Sequence, residues 1–240
     1  MSAKILISGL ANTGKTSLLR DLTDAYVISR DGKRFSLPIP HTNFTDFMGM
    51  DAMINGYDDE EDNHVDGIND KIMAYHAKTG EYPKTVVWDS VSKILQDIID
   101  YSTLHFTNFD IHTNINKEIA LLTQYIEEHL VASGMNVILL SHAMYDDKSG
   151  NYIMVGQGKF AQKGGFLAET DHAVFVELKG KKRIVNHKNP KLASRSLLED
   201  LPDTQPVADI HADITDEDYS LQRHIDMINE HGSVVASNEL

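Results

Sequence analysis

The residues with the most specific chemistry are Gly9-Leu-Ala-Asn-Thr-Gly14-Lys15-Thr16, which match the G-x-x-x-x-G-K-[ST] spacing of a phosphate-binding loop at every fixed position. Glycines let a backbone close around a polyphosphate, and successive N–H groups then turn inward to its oxygens. The residues expected to cradle the phosphates are Gly9, Asn12, Thr13, Gly14, Lys15, Thr16 and Ser17. Lys15 would neutralise charge on the β- and γ-phosphates, and the Thr16 hydroxyl would ligate Mg²⁺. A second stretch, Thr85-Val-Val-Trp-Asp89-Ser90, is an apolar run that ends in an acid. Asp89 there would hold the same magnesium, through water or through Thr16.

These groups need strands and helices to hold them. Lys4–Ser8 reads as a short apolar strand that feeds the loop, and Lys15–Asp24 as the helix that leaves it. Further strands are expected at Ala25–Ser29, Thr85–Asp89, Asn136–Ser141, Ala173–Leu178 and Arg183–His187, and helices at Asn69–Thr79, Ser90–Phe106 and Ile115–Ser133. The acid run Asp58-Asp-Glu-Glu-Asp62 reads as a solvated loop, with a divalent-metal site as the weaker alternative because its spacing matches no calcium loop. Alternating strands and helices with the phosphate loop first imply an α/β fold, mostly parallel, with helices on both faces. The composition shifts after Glu199, so residues 1–200 are expected to form the core. Residues 201–240 then form a linker and an acidic C-terminal helix, with helical pattern over Thr215–His231.

Composition narrows the classes. The chain has 240 residues, no cysteine and a net charge of −14. Thiol catalysis, disulfides and thiolate metal sites are excluded. The charge argues against a protein that coats nucleic acid generally. No apolar run reaches the length of a membrane span and no signal peptide is seen, so a cytoplasmic location is expected. The chain's 12 histidines fall in no metal-ligand spacing, so no zinc site is expected. The absence of an Asn-Lys-x-Asp motif tells against a GTPase, and no arginine-rich lid marks a small-molecule kinase.

On Val86-Val-Trp-Asp89-Ser90-Val91 and Asn136-Val-Ile-Leu-Leu-Ser141-His142, the chain resembles the RecA-like P-loop ATPases. A more specific resemblance is to compact phage RecA-core ATPases, including the Sak-type single-strand annealing group. It rests on the order of phosphate loop, Asp-Ser motif, Ser-His strand, glycine-rich segment, Asp171-His-Ala-Val-Phe175 and a basic segment ending in Arg195. The resemblance implies a Mg²⁺-dependent ATPase in DNA recombination, annealing or repair, phage-encoded and working in the bacterial cytoplasm. It implies homo-oligomers, single-stranded DNA and a single-strand-binding protein as partners. Its catalytic set would be Lys15, Asp31, Asp89, His142 and Arg195. Asp31 would orient the water, with a shorter reach than the glutamate of RecA proteins. His142 would sense the γ-phosphate. Arg195, ahead of Lys188 and Lys191, would be a cation supplied to a neighbouring subunit.

DNA contact would fall to Lys148, Tyr152, Lys159, Phe160 and Lys163 in the glycine-rich segment, with Lys181, Lys182 and Arg183 in the following turn. Lysines would meet phosphates and aromatic rings would stack on bases. The competing reading is a P-loop ATPase that acts as a regulatory or assembly switch without touching DNA, which the acidic charge favours.

Overall fold

The computed structural model describes residues 2–30, 35–154, 160, 164–170 and 172–238, with side chains to residue 232. The expected roles of Asp31, Lys159, Lys163 and Asp171 fall outside the described residues. The elements run β1 (Lys4–Gly9), β2 (Ala25–Ser29), β3 (His41–Asn43), α1 (Met50–Asn55), β4 (Tyr57–Asp58), β5 (His64–Val65) and α2 (Ile68–Thr79). They continue with β6 (Thr85–Asp89), α3 (Val91–His105), α4 (Phe109–Gln124), β7 (Asn136–Asp146) and β8 (Asn151–Met154). The last are β9 (His172–Lys179), β10 (Lys182–Asn186), β11 (Thr204–Pro206) and α5 (Leu221–Asn238).

The main sheet has the order β11-β10-β9-β1-β7-β6-β2-β3, with β8 paired to the end of β7. From β9 to β3 the pairs are parallel, while β10 and β11 join antiparallel at one edge. Side chains alternate across the sheet, as a period of two requires. Leu6, Val86, Trp88, Val137 and Leu139 face α1 to α4. Ile5, Ile7, Val87, Ile138 and Leu140 face the opposite layer, which contains Leu18, Leu19, Leu221 and Ile225. Both faces are covered, which explains why these strands read as unbroken apolar runs. Helix α3 buries Val91, Ile94, Leu95 and Ile98 on one stripe, each adding roughly 1.5–3 kcal/mol over an exposed position. Ser90 caps it, its hydroxyl accepting from the Lys93 N–H.

Several elements differ from expectation. The segment after the phosphate loop is a 3₁₀ helix over Thr16–Asp21, not an α-helix to Asp24. Distance explains it. The chain leaves the top of β1 and must reach the bottom of β2, about 20 Å down a six-residue strand. An α-helix over those nine residues would rise only about 14 Å. The longer rise of a 3₁₀ helix, followed by extended residues, closes the gap. Helix α4 begins at Phe109 rather than Ile115 and continues as a π-helical turn over Tyr125–Val131. Strand β7 runs five residues past Ser141 and turns back as the β7–β8 hairpin, with Ala143 opposite Met154. The acid run is the tip of the β4–β5 hairpin, with Asp59 accepting from the Glu61 and Asn63 N–H groups at 2.9 Å.

The segment set apart by composition adds a strand and a helix. β11 pairs with β10, and α5 packs Tyr219, Leu221, Ile225 and Ile228 into the second layer. Ser220 caps α5, its hydroxyl accepting from the Arg223 N–H at 3.1 Å. The acids Asp213, Asp216, Glu217 and Asp218 precede this helix rather than fill its first turn. Gln222 accepts from the Thr23 N–H at 3.1 Å and donates its own N–H to Asp21 at 3.4 Å. At the sheet's lower edge Asn136 accepts from the Ala3 N–H (2.9 Å) and from Asn229 (3.2 Å), and donates to the Lys84 carbonyl (3.2 Å).

Three buried histidines meet under α5: His172 on β9, His187 after β10 and His224 on α5. The rings of His172 and His187 lie 5.8 and 5.5 Å from that of His224. The Tyr219 hydroxyl lies 3.1 Å from His224 Nδ1, and His187 Nε2 lies 3.0 Å from Gln205 Oε1. Burial pushes His187 down to about 4 and His224 to about 3. The charge on Lys188 adds to the first shift, and the neighbouring histidines add to the second.

Candidate functional site

Parallel register brings the chemistry to one edge. Gly9 lies opposite His142, and Asp89 opposite Leu140, so β1, β6 and β7 all end at the same rim. Open parallel sheets bind ligands outside this carboxyl edge. The loop after β1 folds Lys15 back over the rim. Its ammonium is buried and donates to the carbonyls of Gly9 (3.0 Å) and Leu10 (2.8 Å), 3.4 Å from His142 Nδ1. The Thr16 hydroxyl donates to Asp89 Oδ2 at 3.1 Å. His142 is fixed from behind, its N–H donating to the Ser92 hydroxyl at 3.1 Å, which in turn lies 3.2 Å from the Ser90 hydroxyl.

Gly9 is required for space and Gly14 for its backbone conformation. A Cβ on Gly9 would strike the Val176 carbonyl on β9 and lie 2.9 Å from the Thr13 hydroxyl. Gly14 takes φ +86°, and a Cβ there would lie 2.7 Å from Arg183 Nε. The site therefore joins a carbonyl-held ammonium, a histidine and a Thr–Asp oxygen pair. A hydroxyl beside a carboxylate is the hard-oxygen donor set that magnesium prefers, so Thr16 and Asp89 fit that ion. The ammonium beside a tight N–H-rich loop suits phosphate oxygens.

One supporting pair was not visible in the sequence. Arg30, at the end of β2, lies 2.8 Å from Asp97 on α3, both side chains about nine-tenths buried. The contact is off the N–H axis, so it is an ion pair rather than an aligned hydrogen bond. Arg30 also donates to the Phe44 carbonyl (2.7 Å), and its backbone N–H donates to the Asp89 carbonyl (2.6 Å). A buried arginine with a buried acid sixty-odd residues away leaves no local pattern to read.

The residues expected at DNA differ in exposure. Tyr152 is half-buried, its ring 5.3 Å from Tyr145 and 5.2 Å from Phe175. Phe160 packs edge-on against Phe166 at 4.9 Å, at the margin of the first core layer. Both rings are thus engaged in packing and only partly exposed. Apolar rings beside a sheet edge gain more from that contact than from water. Lys148 is exposed at the β7–β8 tip, and Lys181 and Lys182 are exposed in the β9–β10 turn. Arg183 lies not on an open face but against Gly14 of the phosphate loop.

Arg195 bridges Ala173 near the start of β9, and its Nε donates to the Thr170 carbonyl at 2.9 Å. Ala173 pairs with Leu6, three residues below Gly9, so Arg195 sits well below the rim of its own chain's site. Lys188 donates to the carbonyls of Glu199 and Leu201 at 2.8 and 2.9 Å, and Lys191 is exposed.

Other features lie away from the rim. A cleft of about 770 Å³ opens beside Pro83, Lys84, Gly134 and Met135, where β6 and β7 begin. Among the described residues, His64, Asp66 and Asp70 place possible metal ligands within 4.8 Å of one another. There His64 contacts Asp58 (3.1 Å) and Asp70 (3.3 Å), hydrogen bonds that hold its ring above the usual histidine range. No helix among the described residues is long and apolar enough to cross a membrane. No protein-family model matches the chain, and no curated protein matches it significantly.

Proposed function

We propose that this chain binds and hydrolyses ATP with Mg²⁺ in a RecA-like core, and acts on single-stranded DNA in recombination, annealing or repair. The observation that carries the nucleotide half is the meeting of Lys15, Thr16, Asp89 and His142 at one strand edge. The order β9-β1-β7-β6-β2 supports the RecA-like reading, because β7 stands between the phosphate-loop strand and the acid-bearing strand. In this reading the loop N–H groups and Lys15 hold the phosphates, while Thr16 and Asp89 hold the magnesium. The metal would supply charge neutralisation for the transferred phosphoryl group. His142, 3.4 Å from the Lys15 ammonium and on the strand that runs into the β7–β8 hairpin, would carry the state of the site to that hairpin.

The DNA half rests on sequence resemblance and on the exposed lysines of the two hairpin tips. A second reading, an ATPase switch without DNA contact, is favoured by the packing of Tyr152 and Phe160. One experiment separates them: Mg·ATP hydrolysis with and without single-stranded DNA, at low and moderate salt, with Lys15→Ala as control. Stimulation by DNA that weakens with salt and vanishes in the variant supports the first reading. Hydrolysis that depends on Lys15 but ignores DNA supports the second. No hydrolysis by the wild-type chain overturns both.

A further inference from the structure

We infer that Arg183 is a phosphate-binding cation supplied from within the same chain, and that it ties the β9–β10 hairpin to the bound nucleotide. The inference rests on the nucleotide reading of the phosphate loop and adds a residue to it.

Strand β9 runs parallel to β1, with Val176 opposite Gly9. Residues Glu177 to Lys179 therefore continue past the rim where the phosphate loop begins. The turn at Gly180 brings the chain back as β10, with Arg183 opposite Leu178. From there the Arg183 side chain reaches the loop. Its Nε lies 2.7 Å, and its Cζ 3.1 Å, from the point that a Cβ on Gly14 would occupy. With no side chain on Gly14, the guanidinium lies directly against the loop backbone.

The charge of Arg183 is otherwise unanswered. Among the described residues its guanidinium has no carboxylate in salt-bridge range and no hydrogen-bond acceptor, although the side chain is half-buried. Its neighbours on the hairpin behave differently: Lys179 pairs with Glu177 at 3.1 Å, while Lys181 and Lys182 point to solvent. The chain carries 14 more acidic than basic charges, so an arginine without an acid is unusual for its surroundings. A planar five-donor cation packed against an N–H-rich anion cradle matches the phosphate oxygens of a nucleoside di- or triphosphate. It would be a binding residue whose contact depends on phosphate charge, not on the base.

The test compares wild type, Arg183→Gln, Arg183→Lys and Lys15→Ala by equilibrium binding of Mg·ATP, Mg·ADP and adenosine at several salt concentrations. Arg183→Gln should weaken both phosphorylated ligands by roughly 10- to 100-fold and flatten their salt dependence. Arg183→Lys should recover part of the affinity, and adenosine binding should be unchanged by either substitution. Thermal unfolding without ligand should be the same in Arg183→Gln and wild type, because the side chain holds no protein group. Wild-type affinity and salt slope in Arg183→Gln would overturn the inference while leaving the nucleotide reading intact. Equal losses for adenosine and ATP would also overturn it, by assigning Arg183 to the base. Failure of wild type to bind any phosphorylated ligand, with Lys15→Ala indistinguishable from it, would overturn the nucleotide reading itself.

Discussion

Acid should loosen this protein before its carboxylates titrate, and the cause should be the histidines beneath α5. His187 and His224 are buried as neutral rings, depressed to about 4 and about 3 from an unfolded value of 6.5. Between pH 6.5 and 4 the unfolded chain binds more protons than the native one, so stability falls as pH is lowered through that window and is flat above it. At pH 5 nearly all unfolded rings are charged and nearly all native ones are not. Each ring then costs about 2 kcal/mol relative to neutral pH, and the two together about 4 kcal/mol. That is a large share of a typical domain stability of roughly 5–15 kcal/mol. Exposed His64 works in the opposite direction, but solvent screens it. The assay is urea unfolding at pH 7.5 and pH 5, followed by far-UV circular dichroism and by emission of Trp88, the one tryptophan and fully buried. The reference is the double variant His187→Gln/His224→Gln, whose own pH shift should be smaller by most of the 4 kcal/mol. Equal shifts in wild type and double variant would refute the assignment, whatever the stability of the variant at neutral pH.

Two further outcomes follow from the packing. Asn136→Ala removes a side chain that joins β1, β6 and α5 and leaves the Ala3 N–H without its acceptor; unfolding stability should drop by about 2–3 kcal/mol. Tyr152→Ala should lower the thermal midpoint of the protein while leaving affinity for single-stranded DNA unchanged, since its ring packs between Tyr145 and Phe175; a selective loss of DNA binding at unchanged stability would show that the ring is available to bases.

The sequence disclosed what is local. The spacing from Gly9 to Thr16 defined the loop, and the run Thr85–Asp89 defined its strand to the residue. These patterns need only neighbouring residues and a period. The 3₁₀ helix did not show, because its form is set by how far away β2 lies. Nor did β11: Thr204–Pro206 has no strand-like alternation and becomes a strand because β10 offers an unpaired edge. Composition marked Lys179–Arg183 as a basic turn, but only the hairpin register reveals that its last residue turns to the phosphate loop while its lysines turn away. Tyr152 and Phe160 carry the same ambiguity, since an aromatic residue in a polar stretch serves a partner and a core equally well on paper.

The bracing of the 3₁₀ helix by α5 has a consequence for biosynthesis. The 3₁₀ helix is synthesised before the group that braces it, since Gln222 follows Asp21 and Thr23 by some 200 positions. Strand β9, whose carbonyl packs on Gly9, also arrives long after the loop. A nascent chain therefore carries the Gly9–Thr16 loop well before the groups that pack against it exist. The outgoing helix of the loop is therefore braced only once α5 has been made.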